Sequence, residues 1–190
     1  MAWKVMFMLM AAMAMAVNAV AGEACYRSDA EHGELEFSGV AEDNLVRGDF
    51  QAFEVRVCLD NDALSSAHIV VEVQTGSASV GIRQGDEALL GEEMFFAERY
   101  PTATWTSRTI EADNDAYRAE GELELRGVSA PQAVRLRLER DGDTLRLSGE
   151  AEIFRMEFEV GDGEFADTEF VKDRVELEFD LELVPDSQSD

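Results

Sequence analysis

Residues able to do chemistry are few in this chain, and their spacing does not bring them into one site. Its two histidines, His32 and His68, stand isolated from each other, which excludes a zinc site built on several histidines. No nucleophile-elbow motif is present to support a Ser-His-Asp arrangement. We therefore predict that the protein is not an enzyme and needs neither a metal ion nor a cofactor.

Carboxylates are the most abundant reactive groups, and their pattern is typical of a solvated surface. The chain has 41 acidic against 16 basic residues, a net charge of −25. Asp162, Glu164 and Asp167 lie close in sequence but lack the dense alternating oxygen ligands of a calcium loop. Such a charge makes nucleic acid an unsuitable partner and disfavours anionic membranes. We interpret it as a solvated acidic surface that keeps the protein soluble, and adaptation to a salty habitat is a second interpretation.

Two cysteines, Cys25 and Cys58, form the remaining chemical pair. A turn signal at Glu42-Asp43-Asn44 lies between them, and a hairpin folded there brings both cysteines together at its open end. We predict that they form a disulfide, a bond that persists in oxidising compartments. Two free thiols are the alternative.

The first residues of the chain predict export. Lys4 precedes an apolar run from Val5 to Val17, and Ala19-Val20-Ala21 forms a small-x-small cleavage site. This pattern is typical of a signal peptide, here residues 1–21. An anchoring transmembrane helix is the alternative, although the apolar run is shorter than the roughly 20 residues that a bilayer core needs.

Period-two alternation of apolar and polar residues dominates the rest of the chain. A strand with one apolar and one solvated face indicates antiparallel sheet and excludes a doubly wound parallel sheet. We predict eight strands, at 34–40, 45–59, 67–75, 102–112, 115–127, 133–140, 144–158 and 171–184. Turn signals fall at Asn61-Asp62, Asp113-Asn114-Asp115, Pro131 and Asp141-Gly142-Asp143.

Sequential strands joined by short turns favour an all-β fold, an eight-stranded antiparallel up-and-down barrel, over a sandwich. The exception is the stretch from Arg83 to Glu98, which lacks strand alternation and predicts one or two short helices at one end of the barrel. Residues 22–184 are predicted to form one domain. The polar tail, residues 185–190, is predicted to be disordered.

The interior of such a barrel is either hollow or packed with side chains. Gly149 and Ala151 share the inward face of one strand with leucines, and Ala119 and Gly121 do the same on another. Small residues at these points leave volume in an apolar lumen. An eight-stranded barrel can also be filled by its own side chains, so a packed core is the alternative.

Arg155 interrupts the alternation of strand 144–158. If the inward series that ends at Ile153 continues, Arg155 points into the barrel, where it needs a carboxylate or a polar ligand group. A β-bulge near Ile153 would instead reset the register. We expect Arg155 to lie at the rim in an ordinary ion pair.

Aromatic side chains are the candidate ligand contacts. They would line a tunnel, with Asp86 and Arg155 as polar anchors for a head group, although core packing is the alternative role for each aromatic residue. The aromatic candidates are Phe50, Phe53, Phe95, Tyr100, Trp105, Tyr117, Phe158 and Phe179. Because each buried methylene contributes roughly 0.8 kcal/mol, a long chain could bind tightly with few polar contacts.

Four stretches of the chain resemble the YceI-like family of lipid-binding barrels. LLGEEMFFAERYPTATWTS, residues 89–107, resembles the family segment that runs through Tyr-Pro-Thr-Ala into a strand. GELELRGVSAPQAVRL, residues 121–136, is similar to the G-x-L-x-x-R-G-V-x-x-P element. Residues 154–183 resemble the closing Arg-x-x-Phe, Gly-rich turn and last strand, and RGDFQAFEV, residues 47–55, is like the Gly-x-Phe-x-x-Phe hairpin. The stretches cover nearly all of the chain after residue 21, in the family's order.

The resemblance implies a lipocalin-like barrel with helical elements near one opening, periplasmic export and no catalytic activity. It also implies binding of long amphiphiles such as polyisoprenoids, isoprenoid quinones or fatty amides. We therefore predict a periplasmic carrier for an isoprenoid lipid or quinone. The alternative is a structural or interaction module of the cell envelope, with a packed barrel and a role in stress. A homodimer and a membrane redox partner of unknown identity stay open.

Overall fold

The structure, a computed structural model, describes residues 23–60, 63–141 and 144–186. The predicted signal peptide, residues 1–21, lies outside these residues, as do Asn61-Asp62 and Gly142-Asp143 at two predicted turns. The strands and the helix are β1 Ala24–Asp29, β2 Gly33–Ala41, β3 Asn44–Phe50, β4 Phe53–Leu59, β5 His68–Gln74, β6 Ala78–Ser79, α1 Arg83–Leu90, β7 Thr102–Asp113, β8 Ala116–Leu125, β9 Val128–Asp141, β10 Thr144–Phe154 and β11 Arg174–Pro185. Short 3-10 helices span Leu64–Ser66, Thr75–Ser77, Arg155–Phe158 and Gly163–Ala166.

The strands pair antiparallel in chain order and close into a barrel. Strand β11 pairs with β10 on one side and, on the other, with both β2 and β1, where Tyr26 lies opposite Pro185. Three long strands are each broken into two shorter pieces, β1 with β2, β3 with β4, and β5 with β6. Counting each broken strand once gives eight, so the predicted eight-stranded antiparallel up-and-down, lipocalin-like barrel is confirmed.

The first hairpin of the barrel carries the disulfide. Its turn is formed by Glu42 and Asp43, both with positive φ, which is the geometry of a two-residue hairpin turn. Cys25 in β1 lies directly opposite Cys58 in β4, and the predicted bond joins them. Strand β1 itself was missed by the sequence analysis, because its inward residue Ser28 is polar and breaks the alternation.

The turn predicted at Pro131 is wrong. Pro131 lies inside β9, opposite Glu122, and the turn between β8 and β9 falls at Arg126 and Gly127, both with positive φ. The pairing of β9 with β10 stops at Arg135, so β9 has a strand neighbour on only one side at Pro131. A proline is tolerated there, because no second strand needs the backbone N–H that proline lacks.

Two further boundaries differ from the prediction. Strand β10 ends at Phe154, so the last four residues of the predicted strand 144–158 form a 3-10 helix, Arg155–Phe158, instead. The predicted disordered tail begins too early, because Pro185 ends β11 and the backbone N–H of Asp186 donates to the Cys25 carbonyl at 2.9 Å. Residues 187–190 lie outside the part of the chain that the structure describes.

The two ends of the barrel differ in how they are filled. The end that carries the disulfide is packed solid by fully buried aliphatic side chains, which include Val57, Leu59, Leu64, Leu145 and Leu183. The outer wall is charged, and many of its arginines pair with carboxylates on the same or the neighbouring strand, as Arg174 does with Glu152 at 2.5 Å. No helix among the described residues is long and apolar enough to span a bilayer.

Candidate functional site

The other end of the barrel encloses a cavity of about 380 Å³. This volume lies within the roughly 300–1,000 Å³ that is common for ligand pockets. Its wall is almost entirely aliphatic and aromatic. The residues that the later argument uses are Phe37, Gly39, Phe50, Phe53, Val55, Phe95, Trp105, Leu147, Ala151, Phe179 and Leu181.

One layer of side chains forms the floor of the cavity. Along β4, Val55 lines the cavity and Val57, two residues further, is buried in the packed end. The same step occurs in β10 from Leu147 to Leu145, and in β11 from Leu181 to Leu183. The strands therefore cross from a hollow to a filled interior within one period of their alternation.

Two aromatic rings lie against the barrel wall, over glycines. A Cβ atom added at Gly121 would lie 2.5 Å from Cε2 of Trp105, and one added at Gly149 would lie 2.6 Å from Cζ of Phe179. These two glycines were expected to leave empty volume, but the rings take that space. Ala119 is fully buried without lining the cavity, so Ala151 is the small residue of the predicted set that lines it.

Three phenylalanine rings in contact, each tilted against the next, cover the wall near α1. The ring centroid of Phe50 lies 5.2 Å from that of Phe37 and 6.0 Å from that of Phe95. The sequence analysis placed Phe37 on the apolar face of a strand but did not select it as a ligand contact. Its pairing with the glycine-bearing strand β3, opposite Gly48, could have identified it, because a ring opposite a glycine can lie along the wall.

Three segments surround the opening of the cavity, and we call them the mouth segments: the hairpin tip 40–46, α1 with its following loop 83–98, and the loop 155–173. They are tied together by backbone hydrogen bonds. The N–H of Glu42 donates to the Phe170 carbonyl at 2.8 Å, and the N–H of Asp162 donates to the Glu93 carbonyl at 2.7 Å. The opening is therefore framed by a connected structure.

Arg155 organises the third mouth segment. Its guanidinium donates from Nε to the Lys172 carbonyl at 3.1 Å, and from Nη1 and Nη2 to three further carbonyls of the same loop. Those three acceptors are Val160 at 2.8 Å, Phe165 at 2.8 Å and Val171 at 2.6 Å. The expected ion pair at the rim and the alternative β-bulge near Ile153 are both wrong, because Arg155 is buried and bound to carbonyls. Burial lowers the pKa of Arg155, and the charge of Asp173 opposes that shift.

The other polar groups of the wall are also bonded to backbone. Thr75 Oγ1 donates to the Tyr100 carbonyl at 2.6 Å. Gln132 Nε2 donates to the Glu152 carbonyl at 3.0 Å, and Trp105 Nε1 donates to the Gln132 carbonyl at 3.1 Å. The lumen therefore presents hydrocarbon to a ligand and offers few polar contacts.

The structure places six of the ten candidate residues on the cavity wall. They are Phe50, Phe53, Phe95, Trp105, Arg155 and Phe179. Contact of any of them with a ligand stays a prediction.

The other four candidates lie outside the wall. Asp86 accepts hydrogen bonds from the N–H of Val80 at 2.7 Å and from the Ser79 hydroxyl. It therefore ties α1 to the residues that precede the helix. Tyr100 packs beside Gly127 and Arg99, Tyr117 packs against the core, and Phe158 is fully buried. Each of these four residues has a structural role. Their spacing in the sequence could not distinguish that role from a position on the cavity wall.

Large apolar side chains are exposed around the opening. Within the described residues, every large hydrophobic side chain that is exposed belongs to a mouth segment or adjoins one. These are Leu45, Ile82, Phe154, Met156 and Phe170. An apolar ligand that enters or leaves the cavity would meet them first.

In the described part of the chain, no three His, Cys, Asp or Glu side chains are arranged to hold a metal ion.

Comparison with known proteins gives consistent matches. The model of the YceI-like domain matches residues 26–183. The chain is 27% identical over 135 residues to UPF0312 protein ECA1782 of Pectobacterium atrosepticum, which covers 69% of each chain. It superposes on BcnA of Burkholderia cenocepacia with a TM-score of 0.77 and 24% identity, over 83% of this chain and 99% of that one. A polyisoprenoid binding domain from Saccharophagus degradans, implicated in plant cell wall breakdown, gives 0.66 at 14% identity, over 87% and 100%. The two structural likenesses show the fold.

Proposed function

This chain belongs to the YceI-like family, and from that premise we propose that it is a periplasmic carrier for a long-chain isoprenoid lipid or quinone. The observation that carries the proposal is the apolar cavity at one end of the barrel. The chain of the ligand lies along Trp105, Phe179 and the three contacting phenylalanines, Phe37, Phe50 and Phe95. The protein binds this ligand and does not transform it.

The energetics of the cavity suit a hydrocarbon chain. About ten methylenes withdrawn from water contribute roughly 8 kcal/mol, the free energy that corresponds to a Kd near 1 μM before the costs of association. An apolar cavity that fits the chain is sufficient for binding of this strength, and no set of polar groups is needed. The polyisoprenoid binding named for the Saccharophagus degradans domain supports the same ligand class.

The disulfide and the predicted signal peptide support a periplasmic location. A bond between Cys25 and Cys58 persists where thiols are not kept reduced. The homodimer and the membrane redox partner stay predictions.

Extraction of the purified protein tests the proposal directly. We expect mass spectrometry of the organic extract to find an isoprenoid lipid or quinone in near-stoichiometric amount. Ala151 lines the cavity opposite Leu177, so Ala151→Phe should fill the lumen and reduce the extracted ligand at least about ten-fold. Ala112→Phe, at an exposed position near the end of β7 and outside the cavity wall, is the matched control and should retain it. An empty wild-type protein that also binds no added quinone would support the structural-module alternative.

Fluorescence gives a second measurement. Trp105 lines the cavity, so a titrated quinone should quench its emission. Trp105→Phe should remove the quenching while calorimetry still detects binding, which separates the signal from the affinity. Unchanged Trp105 emission during binding detected by calorimetry would place the quinone elsewhere.

A further inference from the structure

We infer that the cavity takes a lipid with an uncharged head group and excludes anionic amphiphiles. The inference rests on the proposed function and names the ligand class within it. It follows from the charges inside the cavity and around its opening.

Inside the cavity, the buried guanidinium of Arg155 has almost all of its N–H groups already bonded and so has little to donate to a ligand phosphate or carboxylate. Arg155 is held by four backbone carbonyls, with one N–H of its guanidinium left over. Moving it toward an anionic ligand would leave those carbonyls without donors. Among the described residues that line the cavity, none is Asp or Glu, so a cationic head group finds no partner there either.

Around the opening, the charge is strongly acidic. The mouth segments carry fourteen acidic residues and three basic ones, Arg83, Arg155 and Lys172. Within the described residues of these segments, the ion pair is that of Arg83 with Glu87, both well exposed. On the outer wall, by contrast, arginines neutralise carboxylates in pairs such as Arg108 with Glu122. Arg126, in the turn between β8 and β9, adds one further cation beside these segments, because it donates to the Glu92 and Glu159 carbonyls. The acidity of the opening is therefore still largely uncompensated.

Lys172 is the one cation of the cavity wall that could meet an anionic head group. Its Nζ lies 3.4 Å from the Glu169 carbonyl, and acidic residues flank it at Glu169 and Asp173. One ammonium group among these carboxylates does not make the net charge around the opening positive. A head group that carries two or three negative charges is therefore repelled, whereas an alcohol or a quinone ring is not.

Two lipids with the same chain test the inference. Binding of geranylgeraniol and of geranylgeranyl diphosphate should be measured by calorimetry at ionic strengths of about 0.01 M and about 1 M. The Debye length falls from about 30 Å to about 3 Å over this range. We expect the diphosphate to bind at least about ten-fold more weakly than the alcohol at low salt, and to gain more affinity from added salt than the alcohol does.

A charge variant locates the effect. Glu42→Gln, Glu93→Gln and Glu164→Gln together remove three charges from the mouth segments. At an ionic strength of about 0.1 M they should raise the affinity for the diphosphate about five-fold and leave that for the alcohol unchanged. The matched control removes three charges from the outer wall, through Glu54→Gln, Glu72→Gln and Glu111→Gln. It should change neither affinity by more than about two-fold.

The outcomes separate the two proposals. If both lipids bind with equal affinity at both ionic strengths, the charge selection is wrong and the carrier function stands. If the diphosphate binds more tightly and Lys172→Gln weakens it, the opening attracts anions and the inference is overturned. If neither lipid binds, the carrier function falls and the inference falls with it.

Discussion

At the scale of single residues, the cavity is apolar because the polar side chains in its wall are bonded to the backbone. Arg155, Gln132 and Thr75 line the wall, yet each donates its hydrogen bonds to backbone carbonyls. A polar side chain in an apolar cavity is costly unless it is bonded, and here the bonds also hold neighbouring segments in place. Arg155 in particular connects the end of β10 to the loop that precedes β11.

Replacement of Arg155 should destabilise the protein strongly. Arg155→Met leaves buried carbonyls without donors, and we expect the free energy of unfolding in urea to fall by at least about 3 kcal/mol. Amides of the loop 155–173 should exchange hydrogen faster in the variant. Arg118→Met is the control, because Arg118 pairs with Glu120 on the exposed wall and should cost less than about 1 kcal/mol. Equal losses in both variants would contradict this role.

The turn between β1 and β2 predicts a dependence on pH. A hydrogen bond of 2.7 Å between Asp29 Oδ1 and His32 Nδ1 lowers the pKa of Asp29, and the N–H of Glu31 donates to the same oxygen. The stabilisation by the carboxylate is therefore present above the ordinary value of about 3.9 and is lost as the pH falls through the lowered pKa.

Asp29→Asn tests that dependence in thermal melts. We expect the variant to be less stable than the wild type at pH about 5, by less than about 1 kcal/mol because the pair is partly exposed. The difference should shrink as the pH falls through the lowered pKa of Asp29, because the wild-type carboxyl is then protonated. A difference that is constant with pH would show that the carboxylate charge is not the cause.

At the scale of elements, glycines in the strands decide where the large rings lie. Gly121 and Gly149 give Trp105 and Phe179 room, so the two rings lie close against the wall. The cavity stays open because the large rings of Trp105 and Phe179 occupy the space that side chains at Gly121 and Gly149 would fill. A strand glycine has little other benefit, since it lacks a side chain to pack.

Two glycines of the cavity end provide a matched test. At Gly149 an added Cβ meets the Arg135 carbonyl and the Phe179 ring, whereas at Gly39 its nearest neighbour is Val175 Cγ2 at 3.9 Å. We expect Gly149→Ala to reduce the free energy of unfolding by about 1–3 kcal/mol, because backbone and ring must both move. Gly39→Ala should be neutral or slightly stabilising. Denaturation curves of the two variants check this, and an equal effect would contradict it.

At the scale of the whole molecule, charge repulsion opposes the fold. The chain carries a net charge of −25, and its ion pairs compensate only part of the acidic wall. Salt screens such repulsion, which is the physical content of the proposed adaptation to a salty habitat.

Thermal stability should therefore rise with salt. We expect the melting midpoint to increase by several degrees between about 0.05 M and about 0.5 M NaCl, because the Debye length shortens over this range. A neutral solute at equal osmolality is the control and should raise the midpoint less. A midpoint that is constant or falls with NaCl would contradict the role of repulsion.

Much of the fold followed from the sequence because its signals are local. Alternation in segments such as 175–183 assigns each side chain to the inner or the outer face, and the turn at Glu42-Asp43 sets the register that brings Cys25 opposite Cys58. The helix predicted within 83–98 is present as α1. Strand β1 and the strand position of Pro131 were missed, since the first has weak alternation and the second depends on where β10 stops pairing.

The sequence by itself determined which faces are apolar, how many strands close the barrel and which cysteines meet. Only the tertiary structure decided that one end is solid and the other hollow, because that depends on how side chains from strands distant in sequence share the interior. It also decided the fate of Arg155, whose carbonyl partners Phe165 and Val171 lie on a loop with no repeating pattern. A side chain's face is set by its neighbours in sequence, but the space in front of it is set by the opposite wall.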